Sequence, residues 1–265
     1  MEENIITSVQ NARVKHVVAL QQKSALRRQE GLFVVEGQRE TEHCIACGYE
    51  VSELFVRDDL DYTGSLAATR VTAAVYEKMA YRESTEGIIA VVRAKRHGLD
   101  DLRLQRPNPL VVVLERVEKP GNLGAVLRTA DAAGVDAVIV CDPLTDLYNP
   151  NLIRASIGAV FTVPVAVCTS EACIGWLRQR GFRILTAQLQ DSYDYYDYNM
   201  RPATAIVMGA EATGLSQQWR QAATAHIRIP MLGRLDSLNV SVSAAILIYE
   251  AVRQRNSAYQ YTNGI

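Results

Sequence analysis

No apolar run in this chain approaches the roughly 20 residues that a helix needs to span a bilayer, so no membrane-crossing element is expected. The opening residues, Met1-Glu2-Glu3-Asn4, lack the basic-then-apolar pattern of a secretory leader, and a cytoplasmic location is expected. Excess charge is missing too. The chain has 28 Lys and Arg against 29 Asp and Glu, for a formal net charge of −1. Any contact with nucleic acid must therefore come from local charge. The five cysteines, Cys44, Cys47, Cys141, Cys168 and Cys173, are odd in number and scattered, which argues against a disulfide framework. His43-Cys44-x-x-Cys47 invites a metal or redox reading. No second cysteine pair at ligand spacing follows, however, and the segment reads as helix. No metal is expected. The dinucleotide fingerprint G-x-G-x-x-G is absent as well.

What remains is ordinary for a globular protein: 265 residues, 48% hydrophobic and 22% charged, enough for one large domain or two modest ones. The first third reads as a small α/β unit. Helices are expected over 11–30, 37–47 and 73–80, and strands over 32–35, 53–56 and 87–92. Residues 94–109 are charged and end in Pro107-Asn108-Pro109, which suits a linker. The expected division is a domain over 1–97, a linker over 98–109 and a second domain over 110–265. Beyond the linker, strands alternate with helices. The strands fall at 110–114, 137–140, 163–167, 183–187, 203–208 and 226–229. The helices fall at 121–133, 149–158, 170–180, 214–222 and 239–255. This alternation predicts an α/β fold with a parallel sheet covered on both faces. Helix 239–255 carries apolar residues on nearly every side, so it must be buried on more than one.

Three blocks carry more specific information. The first is Pro120-Gly121-Asn122-Leu123-Gly124-Ala125-Val126-Leu127-Arg128-Thr129-Ala130. The second is Ile206-Val207-Met208-Gly209-Ala210-Glu211-Ala212-Thr213-Gly214-Leu215-Ser216. The third is Ile229-Pro230-Met231 followed by Ser237-Leu238-Asn239-Val240-Ser241-Val242-Ser243-Ala244-Ala245. In order and spacing they resemble the three motifs of the SpoU/TrmH family over residues 108–256. The phrase 31–37, Gly-Leu-Phe-Val-Val-Glu-Gly, resembles more loosely the RNA-binding domain that precedes many catalytic domains of that family.

The resemblance implies an α/β trefoil-knot (SPOUT) domain behind a small ribosomal-protein-like α/β domain. It implies a methyltransferase that takes its methyl from S-adenosylmethionine and acts on a ribose 2'-hydroxyl of structured RNA. Ribosomal RNA is favoured over tRNA because the N-terminal domain suits a folded RNA element. A tRNA methyltransferase and a catalytically silent RNA-binding assembly protein are the alternatives. A homodimer that completes each site across its interface is also implied.

Residue by residue, Gly209, Ile229 and Leu238 match cofactor-binding positions, and Met208, Met231 and Thr186 are expected in the same pocket. Core packing is the other reading of Ile229 and Leu238. A missing Cβ at Gly209 lets a ligand approach the backbone. Arg128, Glu211 and Asn239 match catalytic positions. Arg128 sits beside Val126 and Leu127 and is expected to need a partner for its charge. The family offers it as the base, but a guanidinium rarely gives up its proton, so a contact to phosphate or the ribose oxygen is favoured. Glu211 orients neighbouring groups or pairs with the Arg, and it also suits a helix start. Asn239 is expected near the methyl and ribose, with a plain helix cap as the structural alternative. Asn122 is expected in the turn before its helix, as cap and RNA contact. Residues 11–39 hold Arg13, Lys15, Lys23, Arg27, Arg28 and Arg39 against Glu30 and Glu36, a local +4. Read alone, such a run is a solvated face. Beside this resemblance, Arg13, Lys15, Arg27, Arg28 and Arg39 are expected to meet phosphates. Lys119 stands where many relatives are acidic, and Ser243 where Ala is common. The Asp/Tyr run over 191–198 matches no motif and reads as a surface loop or dimer contact.

Overall fold

The computed structural model describes residues 5–81 and 86–260, with side chains through Asn256. Residues 1–4, on which the leader reading rests, lie outside them. In chain order the first elements are α1 (Ala12–Gln22), α2 (Ser24–Glu30), β1 (Leu32–Glu36), α3 (Gln38–Ala46), β2 (Val51–Arg57), β3 (Thr69–Val71), α4 (Ala73–Met79) and β4 (Ile88–Arg93). Then come β5 (Leu110–Glu115), α5 (Pro120–Ala133), β6 (Ala137–Cys141), α6 (Pro150–Ser156), α7 (Ala159–Thr162), β7 (Val165–Cys168) and α8 (Ser170–Gln179). The last are β8 (Arg183–Ala187), β9 (Tyr193–Asp194), β10 (Thr204–Met208), α9 (Gln217–Ala222), β11 (Ala225–Arg228) and α10 (Val240–Gln260). No helix among the described residues is long and apolar enough to cross a membrane.

The chain forms two compact units. One holds the described residues up to Lys95 together with Asp146–Thr162, and the other holds Arg96–Thr145 and everything from Val163 on. The first unit is built on a four-stranded sheet in the order β1-β4-β2-β3. β4 runs antiparallel to β1 and β2, and β3 is parallel to β2. Val14, Val17 and Leu20 of α1 are fully buried against Phe55, Val75, Met79 and Ile89. The helix expected over 11–30 is two helices, because Lys23 adopts an extended conformation between them. That break leaves the last carbonyls of α1 without helical partners. Arg27 supplies them: its Nη1 donates to Leu20 O at 2.5 Å and to Gln21 O at 2.9 Å. Its Nε donates to Asp146 at 2.7 Å. At 4% exposure, Arg27 is a structural brace and not the phosphate contact expected from the charge run.

The segment Asp146–Thr162, expected within the second domain, packs in the first unit. Aromatic rings hold it there. Phe33 stacks on Tyr148 at 4.0 Å and on Phe161 at 6.0 Å, and Tyr49 meets Phe161 edge-on at 5.3 Å.

The second unit carries a seven-stranded sheet in the order β7-β6-β5-β10-β8-β11-β9. Every neighbouring pair is parallel. β5, β6 and β10 are buried at every residue, as parallel strands covered on both faces must be. This explains why they read as unbroken apolar runs. The edge strand β9 was not expected from the acidic-aromatic run that contains it. It pairs with β11, and Asp194 accepts an ion pair from Arg228 at 2.8 Å. In a parallel sheet all carboxyl ends share one edge. The loops after β5, β10 and β11 therefore converge, and these are the loops that carry the three sequence blocks.

Replacing Arg27 by Ala strands Asp146 and reopens the α1 end. Urea denaturation should show a loss of about 3–5 kcal/mol. Arg28→Ala, on an exposed residue, should change stability little.

Candidate active site

The three loops are joined through one side chain. The N–H of Ser241 donates to Asn239 Oδ1 at 2.9 Å, and the Ser241 hydroxyl donates to the same oxygen at 2.6 Å. Asn239 Nδ2 then donates to Asn122 Oδ1 at 3.2 Å. Asn122 Nδ2 donates in turn to the Glu211 carboxylate. The polarity of this relay is fixed at both ends, because a backbone N–H can only donate and a carboxylate can only accept. Asn239 caps α10 as its residue type suggests, and its free amide hydrogens reach the first block. Asn122 does not cap α5. Lys119 is the N-cap and Pro120 the first helical residue, so Asn122 projects from the first turn.

Beside the relay lies a cavity of about 580 Å³, a volume suited to a cofactor-sized ligand. Met208, Gly209, Glu211, Ile229, Met231, Leu238 and Asn239 all line it. Two of the polar atoms in its walls are buried without a hydrogen-bond partner among the described residues: Gln188 Oε1, an acceptor, and Arg220 Nε, a donor. Buried polar atoms are normally satisfied, so this wall is one that a polar ligand completes. Residues 229–238 add backbone groups that make no backbone hydrogen bond among the described residues. S-adenosylmethionine fits such a site. Its adenine can meet the apolar side chains and loop backbone, and its amino-acid end brings both a donor and an acceptor.

Below the second loop, Glu115 at the end of β5 is 2% exposed. Its two oxygens accept from the Ser216 N–H at 2.8 Å and from the Ser170 hydroxyl at 3.2 Å. Trp219 Nε1 donates to the same Ser170 oxygen at 3.0 Å. This network fixes the carboxyl side of the second block. Glu115, Gln188 and Arg220 were not singled out from the sequence, where each is one polar residue outside any motif.

The chain belongs to the SpoU rRNA methylase family.

The family model, described as the SpoU rRNA Methylase family, matches residues 109–249, and a second, the MRM3-like substrate binding domain, matches residues 11–90. The 23S rRNA (guanosine-2'-O-)-methyltransferase RlmB of Vibrio parahaemolyticus is 35% identical over 77% of this chain and 84% of its own length. The 23S rRNA (uridine(2479)-2'-O)-methyltransferase of Streptomyces viridochromogenes is 31% identical over 95% of this chain and 93% of its own. Among solved structures, an RNA 2'-O ribose methyltransferase superposes with a TM-score of 0.83 at 38% identity, covering 95% of this chain and 99% of that one. The SpoU methyltransferase AviRb from Streptomyces viridochromogenes, in complex with AdoMet, superposes at 0.85 with 28% identity, covering 93% and 100%. The SpoU methylase described here thus has the α/β SPOUT fold behind a substrate-binding domain, and S-adenosylmethionine is its cofactor.

Several expectations for this SpoU methylase change in detail. Thr186 does not line the cavity. It is fully buried, and its hydroxyl pairs with His226 Nδ1 at 2.6 Å, while the next residue, Ala187, takes the cavity position. Gly209 does line it, but a Cβ there would overlap the backbone of Gly214 and Leu215. Its first requirement is therefore the tight 210–214 turn. Arg128 is exposed on α5 and makes no hydrogen bond or ion pair among the described residues. It needs no buried partner of the kind its apolar neighbours suggested. Lys119 lines the cavity entrance, adding a positive charge there.

Asn122→Asp keeps the shape but sets a carboxylate against Glu211 and reverses the polarity of the relay. Calorimetric titration should show S-adenosylmethionine binding weakened at least tenfold, about 1.4 kcal/mol. Unchanged affinity would show that the relay through Asn122 does not shape the cofactor cavity.

Proposed function

We propose that this SpoU methylase modifies a ribose 2'-hydroxyl in large-subunit ribosomal RNA, working as a cytoplasmic homodimer. One observation carries the choice of RNA. The neighbours named for tRNA modification cover only 61% and 57% of this chain. The AdoMet-bound rRNA methyltransferase from Sinorhizobium meliloti covers 94% at a TM-score of 0.86 and 29% identity. The first unit holds residues 11–90, which match the substrate-binding family model, and in this reading it grips the rRNA. Lys15, Arg28 and Arg39 are exposed there and serve as phosphate contacts. Arg13 is half committed, with an ion pair to Glu53 at 3.0 Å.

The bound cofactor supplies an electrophilic methyl on a sulfonium, and the protein must align a ribose oxygen with it. Glu211 and Asn122 hold Asn239 at the cavity mouth, where its remaining polar edge orients the ribose. Arg128 stabilises the negative charge that develops on the 2'-oxygen, as a permanently charged fork can.

Arg128 belongs to the second subunit's site in this reading. Along α10, Val242 is 47% and Tyr249 49% exposed, and Ala245, Ile246 and Val252 are half-buried. Positions 242, 245, 246, 249 and 252 share one helical face. Leu232 and Leu235, at 97% and 75% exposure, lie in the third loop. Such a row suits a two-fold interface of identical helices, which also covers the exposed 232–239 loop.

Methyl transfer from labelled S-adenosylmethionine tests the reading. Label should enter 23S rRNA, protect one linkage from alkaline cleavage and vanish with Asn239→Ala. Label entering only tRNA would overturn the choice of substrate. Arg128→Lys keeps the charge but loses the fork, and turnover should fall about 10²–10³-fold; near-wild-type turnover would rule out the oxyanion role. Tyr249→Glu with Ala245→Glu should yield a monomer by light scattering, whereas an unchanged mass would place the interface elsewhere.

A further inference from the structure

Three of the five cysteines meet in the second unit: Cys168 and Cys173 are five residues apart, and Cys141 joins them from 27 residues before Cys168. Cys141 ends β6, and Cys168 ends β7 directly opposite it in the parallel register. Cys173 lies in the first turns of α8. The three sulfurs lie within 4.8 Å of one another, and Cys141 and Cys168 are 4.0 Å apart. A tetrahedral zinc with Zn–S bonds of about 2.3 Å holds its sulfurs about 3.8 Å apart, so small side-chain adjustments bring this trio to ligand distance. Cys141, Cys168 and Cys173 are in no disulfide.

Core packing accounts for Cys141 and Cys173, both fully buried. It does not account for the convergence of a third sulfur on the half-exposed side, at Cys168. No fourth His, Cys, Asp or Glu joins the group among the described residues. The cluster therefore offers three soft donors on rigid elements and one position open towards solvent. Thiolate donors select thiophilic cations over magnesium or calcium.

We propose that Cys141, Cys168 and Cys173 bind one Zn²⁺, with water in the fourth position. Three Zn–S bonds form as the three thiol protons leave to solvent. The ion ties the ends of β6 and β7 to the start of α8. Ser170 lies between two of the ligands, and its hydroxyl sits between Asp142 Oδ2 at 2.6 Å and Glu115 Oε1 at 3.2 Å; Glu115 in turn holds Ser216 of the second motif loop. The site is thus a staple behind the methyltransferase centre, outside its cavity, and it stands or falls independently of the RNA reading.

Co²⁺ titration of the reduced, chelator-stripped full-length protein under anaerobic conditions is the test. A thiolate-to-cobalt charge-transfer band should saturate at one ion per chain and be bleached by Zn²⁺. Cys168→Ser should abolish it, and Cys47→Ser should leave it intact. No band at saturating Co²⁺, or an equal band in Cys168→Ser, overturns the proposal. Should Cys168→Ser fail to fold, mapping of alkylated peptides in the wild-type protein decides. Zn²⁺ should slow modification of Cys168 about tenfold or more while leaving Cys47 as reactive as before. Unprotected Cys168 overturns the site.

Discussion

The second unit depends on one side-chain amide having a donor face and an acceptor face. Asn122 uses its nitrogen on Glu211 and its oxygen on Asn239. It thereby joins three loops that the chain leaves 89 and 117 residues apart. The parallel sheet makes this possible by delivering β5, β10 and β11 to one edge, but the sheet alone only brings the loops near one another. The relay ties the loops to one another directly, and a catalytic alignment depends on such ties.

The relay works because what lies beneath it cannot move. Glu115 is buried with both oxygens engaged, and Trp219, at 0% exposure, packs beneath the same loop. Gly209 permits the turn above them. The solvent side is the opposite case. Every residue of 232–239 is exposed, and the loop lacks internal backbone hydrogen bonds among the described residues. Ordering such a loop costs conformational entropy. In the proposed dimer, cofactor, RNA and the partner subunit supply the contacts that offset this cost. Rigid support and an open rim are what an enzyme acting on a large, structured substrate requires.

The sequence conveyed those parts of the molecule that follow from local pattern. Apolar runs marked β5, β6 and β10, alternation marked the parallel sheet, and Pro120, Gly209 and Asn239 marked the three loops. What depends on distant partners stayed hidden. Arg27 looks like its neighbour Arg28 in sequence, and only the gap at the end of α1 and the nearness of Asp146 make one a brace and the other a surface charge. Asp146–Thr162 packs with the first unit through the Phe33, Tyr148 and Phe161 rings, whose separation in sequence gives no warning. Thr186 stands in the right strand, but its hydroxyl turns to His226 and away from the cavity. Of the cysteine trio, Cys168 and Cys173 stand at C-x4-C spacing in the sequence, but the approach of Cys141, 27 residues before Cys168, shows only in the fold.

The central claim is that the three loops act as one unit through Asn122. A double-mutant cycle on kcat/KM with Asn122→Ala, Asn239→Ala and the double variant measures this directly. The account predicts a coupling energy of about 0.5–3 kcal/mol, with the double variant scarcely slower than the worse single one. Losses that simply add would mean that the two amides act separately, and would contradict it.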